Sequence, residues 1–249
     1  MTVDDTTAAD APAARDAATP VDPGHGRRAL ARIGARAIAA WIAEVVTPRR
    51  RIVASAVGLL AGVASALLLR RLFLGMEDAE DADTGLAIGL GLVIGAVACS
   101  IPLASWLARA SRRLGSATGA HPHWRDAALL EGSVDARGRV TLAPGVAERV
   151  AVESRRAIAS GAIGVPAAFV LTGATLVAAP VLLVAGMAAH QLLVIPLYLV
   201  TSATTVAVTC RLAGPMALLR DAADAELALP EHERAVAPPV VPPHGSRLP

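Results

Sequence analysis

Few side chains in this sequence are spaced for chemistry, and each group that qualifies sits in a context that argues against it. His121 and His123 flank Pro122 beside Trp124. Two imidazoles so placed can share a metal ion, but only Asp126 stands near them as a further ligand. The acidic run Glu77–Asp83 (EDAEDAD) supplies the oxygens that hard cations take, without the glycine and spacing of a calcium loop. Gly89-x-Gly91-x-x-x-Gly95 has the glycine density of a dinucleotide loop, yet it lies inside an apolar run rather than between a strand and an exposed helix N-terminus. Cys99 and Cys210 also fall in apolar segments, form no CxxC motif, and read as small hydrophobes. There is no HExxH, no GxSxG and no phosphate loop, and without lysine there is no Ser–Lys pair. The expectation is a protein that is not an enzyme, with no catalytic residue, no cofactor and no metal.

One polar feature remains inside an apolar segment. Thr201, Thr205 and Thr209 recur at one-turn spacing, so their hydroxyls share a helix face. Such a face lines a pore, bonds to a neighbouring helix, or bonds back to the carbonyl one turn earlier.

The elements that must position these groups are set by hydropathy. From Ala157 to Cys210, 54 residues pass without one Asp, Glu, Lys or Arg. A charge at the bilayer centre costs roughly 2.5–3.5 kcal/mol, which explains such an interval in a membrane protein and has no counterpart in a soluble one. As one helix the run would measure about 80 Å, against a hydrocarbon core of ~30 Å, so it must turn back, with the turn expected at Gly186–Gln191. The sequence therefore predicts an all-α integral membrane protein of four transmembrane helices in two hairpins. The first pair spans about 52–74 and 84–107, joined by an acidic outer loop at 75–83. The second hairpin, 157–213, has spans at about 161–185 and 191–212.

Glycines mark the expected helix contacts: Gly58 and Gly62 in the first span, and Gly85, Gly89, Gly91 and Gly95 in the second. In lipid, close backbone approach replaces the missing hydrophobic drive. Residues 1–26, rich in Ala, Asp, Thr and Pro, read as a disordered tail. Residues 27–47 carry an apolar helical face (Leu30, Ile33, Ala37, Trp41, Val45) opposite Arg28, Arg32 and Arg36, which suits a helix lying in the membrane interface with Trp41 at headgroup level. Arg49, Arg50 and Arg51 then mark the membrane boundary.

Residues 108–156 form a basic loop with nine Arg against five acids. Within it, Ser133–Leu142 reads as a small β-hairpin turning at Gly138, followed by a helix after Pro144. Val134, Asp135, Gly138, Arg139, Val140, Leu142, Pro144, Glu148 and Arg149 resemble the AbrB-type DNA-binding hairpin. Ala143 is inserted before Pro144 and no first strand precedes the turn, so over some seventeen residues the resemblance is treated as coincidence. Residues 214–249 read as a polar helix and a Pro-rich disordered tail.

Charge asymmetry orients the chain. Residues 24–51 hold seven Arg and one Glu, whereas 70–83 hold two Arg and five acids. Basic flanks face the cytoplasm, so both termini are expected inside a plasma membrane. All 23 basic residues are Arg and there is no Asn, a codon bias expected of a G+C-rich bacterial genome. The expected partners are the lipid bilayer with its anionic headgroups and a second copy or another membrane protein, not nucleic acid. The role expected is assembly or regulation, with an oligomeric channel or transporter subunit as the alternative.

Overall fold

A computed structural model describes residues 26–75, 81–114, 130, 133–135, 138–187 and 194–236. Among them the regular structure is helical: α1 (Arg27–Val45), α2 (Pro48–Leu74), α3 (Asp81–Arg113), α4 (Ala147–Ala162), α5 (Val165–Val184) and α6 (Val194–Ala228), closed by a short 3-10 turn, Glu231–Glu233. Four stretches are long and apolar enough to cross a membrane: α2, α3 from Thr84, the α4–α5 stretch and α6.

Prolines set several boundaries. Pro48 opens α2, where its missing N–H would be unpaired in any case, so Arg49–Arg51 form the first turn of α2 and not a linker before it. Pro166 sits in the first turn of α5 in the same way. The uncharged run therefore begins with the end of α4, breaks at Ile163–Gly164, and continues as α5. Its expected turn at Gly186–Gln191 is described only to Met187, where Gly186 adopts φ +83°. Pro215 acts differently. It lies inside α6, which runs on through it for 35 residues, so the fourth span and the polar helix after it form one rod about 52 Å long.

The packing falls into two regions. In the first, α2 and α3 lie antiparallel in close contact, and α5 packs on the other side of α3 with Ala178 and Leu182 at its centre. In the second, α1, α4 and the C-terminal half of α6 form a three-helix cluster around Ala37, Ile38, Ile158, Ala162, Ala213 and Ala217. Val150, Leu219 and Ala223 extend that cluster beneath Val134, Val140 and Leu142. Trp41 reaches both this cluster and the one formed by Val46, Ala54, Leu103 and Leu107, and so stands at the joint between the regions.

The apolar face of α1 is thus spent largely on the protein itself: Leu30, Ala37 and Ile38 are buried, while Arg28, Arg32 and Arg36 are exposed. At 133–142 a single antiparallel bridge, Val134–Val140, forms and no strand is present among the described residues. The turn is held by Asp135, whose carboxylate accepts from the Arg139 backbone N–H and Nε. Gly138 at its tip has φ +73° and sits against Leu30. The pairing stops there because Val134, Val140 and Leu142 turn onto the α4–α6 cluster and Pro144 lies two residues beyond Leu142.

Candidate functional site: the glycine contacts and their rim

The α2–α3 seam is built from backbone. A methyl group added at Gly58 would stand 2.8 Å from the Gly95 carbonyl oxygen, one at Gly95 2.7 Å from the Gly58 oxygen, and one at Gly91 2.8 Å from the Gly62 oxygen. Real Cβ atoms do not approach so closely, so these positions admit only glycine without a shift of one helix. The other two predicted glycines serve a different neighbour. Gly85 meets Ala185 and Gly89 meets Leu182, both on α5. The six-residue offset of Gly85 and Gly89 from Gly91 and Gly95 turns them about 120° apart around the helix, which gives α3 two distinct contact faces that GxxxG spacing alone does not separate.

A third backbone contact went unread in the sequence. Gly34 of α1 lies against the Cys210 carbonyl and Gly214 of α6, and Gly214 against the Leu30 carbonyl. Neither glycine belongs to a GxxxG pair, so local spacing gave no cue. What does mark them is their company, since Gly34 lies on the apolar face of its helix and Gly214 precedes Pro215.

The threonine face is exposed at Thr201 and Thr205. Both hydroxyls donate to carbonyls one turn back, Thr201 to Leu197 O and Thr205 to Thr201 O, each at 2.8 Å. Thr209 lies by Gly161 of α4. The hydroxyl contact between α5 and α6 comes instead from Thr172 and Ser202, 3.2 Å apart.

The basic triplet divides by role. Arg50 Nη1 donates to Val45 O at 2.6 Å while its guanidinium lies over the Trp106 ring, 5.6 Å from the centroid. Arg51 Nε donates to Val46 O at 3.1 Å. These two arginines thus cap the open carbonyls at the end of α1 and fix the elbow into α2. Arg49 is exposed with neither contact.

In the α1–α4–α6 cluster, Arg155 pairs with Asp224 at 2.7 Å on the surface. Beneath it Glu153 is 7% exposed, and its Oε1 and the Nη1 of Arg156, three residues on, are buried without a hydrogen-bond partner. At the far end, Arg234 donates to Leu229 O and Leu227 O, closing the C-terminus of α6. No group of three His, Cys, Asp or Glu comes together among the described residues. His121, His123, Glu77, Asp78 and Glu80 lie outside them.

Comparisons of the chain with protein-family models, with curated proteins and with solved structures return no match, so its reading rests on its own geometry.

Proposed function

We propose that this chain is a non-enzymatic, multi-pass membrane module that assembles with other membrane helices, in a bacterial plasma membrane with both termini cytoplasmic. The observation that carries this reading is the contrast between its inner and outer surfaces. Inside, helices meet backbone to backbone through paired glycines. Outside, α2 presents Ile52, Leu59, Leu60, Leu67 and Leu68, and α6 presents Val194, Leu197, Val200 and Leu212, all uncovered. The four crossings run as two re-entering pairs, and α1 lies along the membrane surface with Arg28, Arg32 and Arg36 toward anionic headgroups, each attracted by ~1 kcal/mol. Affinity purification in mild detergent followed by mass spectrometry tests the assembly. A reproducible membrane partner or a defined oligomer is expected, and a lone monodisperse monomer would overturn it. Reporter fusions after Glu80 and after Gly132 should report opposite sides of the membrane.

A second reading, an oligomeric channel or transporter subunit, is favoured by the exposure of Thr201 and Thr205 on α6. In that case leucine at Thr201, Thr205 and Thr209 should change flux of ions or small solutes through proteoliposomes. Wild-type vesicles as tight as protein-free ones would end it.

A further inference from the structure

Beside the α2–α3 seam the two helices leave a groove of about 480 Å³. Its floor is the glycine contact, and Leu59, Val63 and Leu67 on one side and Ile88 and Leu92 on the other stand up as its walls. From Ser55 to Leu67 it runs twelve residues along α2, about 18 Å, close to the ~15 Å depth of one leaflet's hydrocarbon. It is almost wholly apolar, and its one hydroxyl, Ser55, is at one end.

That end is where the polar groups gather. Arg51 lies one turn before Ser55 and continues the stripe 51, 55, 58, 62 along the groove side of α2. Arg51 is exposed, and with Nε committed to Val46 O its two Nη groups point to no protein acceptor among the described residues. The Ser55 hydroxyl is exposed at this end and has no partner among the described residues. An exposed hydroxyl one turn from a guanidinium with two unused donors leaves three donor groups side by side for one external acceptor. Trp106, held beneath Arg50, stands at the same level on α3.

We propose that the α2–α3 groove binds one anionic phospholipid, with an acyl chain along the glycine floor and its phosphate held by Arg51 and the Ser55 hydroxyl. The charge selects the class. A guanidinium matches a phosphate bidentately, and a lipid whose headgroup carries no compensating amine leaves that attraction undiminished. The groove's length selects a chain and excludes a compact soluble anion, which would leave the apolar walls uncovered.

Native mass spectrometry of the full chain, delipidated and then titrated with phosphatidylglycerol or phosphatidylcholine, tests this. One phosphatidylglycerol should be retained at least fivefold more strongly than phosphatidylcholine. Arg51→Gln should lower its retention about fivefold, the weight of one arginine near an anionic surface. Arg51→Lys, which loses the Nε bond to Val46 but keeps the charge, should recover most of it and so separates binding from the elbow's integrity. Val63→Trp should displace the chain, while Leu60→Trp, which is exposed but does not line the groove, should leave retention unchanged. Equal retention of the two lipids, or retention indifferent to both Arg51→Gln and Val63→Trp, would overturn the proposal. So would a dimer that Val63→Trp dissociates, because the groove would then be covered by a second copy.

Discussion

α2 with α3, and α5 with α6, are consecutive long apolar helices, but the two pairs are held differently. α2 and α3 meet along a line where glycine faces glycine, with carbonyl oxygens of each helix within 3.0 Å of where the other's side chains would begin. Between α5 and α6 the described polar contact is Thr172 with Ser202, and a side chain at Gly173 would meet nothing within 4 Å. α5 takes its support from α3, and α6 takes its support from α1 and α4 at its other half. The difference teaches that chain adjacency does not decide pairing in lipid. Small residues on both partners do, because bulky faces gain nothing over contact with acyl chains.

The sharpest way to break this comparison is Gly95→Leu. Its side chain would strike the Gly58 carbonyl, backbone that cannot rotate away, so a loss of about 3 kcal/mol or of folded yield is expected. Gly173→Leu should leave detergent unfolding unchanged. Equal tolerance of the two would show that the seam is not what holds the pair. Of the same size, Gly34→Leu should cost about 3 kcal/mol by parting α1 from α6 at Cys210, and it should do so without loosening α2 from α3 in cross-linking between those helices. Thr172→Val removes the described hydroxyl contact between α5 and α6 and should lower stability by only ~0.6 kcal/mol, the usual worth of such a bond in a membrane. Smallest of all, Asp224→Asn breaks a surface pair with Arg155 and should cost at most about 0.5 kcal/mol, an effect that disappears at high salt.

Much of the fold could be read in the sequence because the bilayer's demands are one-dimensional. The four long apolar helices follow from where charges are missing, but the start of α2 does not, since its first turn, Pro48–Arg51, carries three charges that hydropathy places outside the span. The glycines of α2 and α3 were visible by their spacing, but not the assignment of Gly85 and Gly89 to α5, since spacing names a face and not its neighbour. Gly34 and Gly214 were missed because each is a single residue, and contact between distant segments leaves no periodic trace. The continuity of α6 is not legible because the apolar run ends near Leu212 and Pro215 sits where a new polar helix could open. In α6, Pro215 falls where Ala213, Gly214 and Ala217 are buried against α1 and α4, and tertiary support carries the helix across the lost hydrogen bond. At the candidate lipid site the sequence offered Arg51 only as one of three boundary charges. Its separation from Arg50 depends on which donor each spends on the end of α1.

The length of α6 has a mechanical consequence. Clamped by α1 and α4 along one half and held more lightly on the other, where the described contacts are the Thr172–Ser202 pair and Ile195 against Leu182 and Ala178, this 35-residue rod is a cantilever whose fixed end lies at Gly34 and Gly214. Lateral force from lipid or a bound helix on the free half acts with a long arm on a contact that has no slack. Pro215 stands immediately beside that clamp, where a missing hydrogen bond makes the rod easiest to bend.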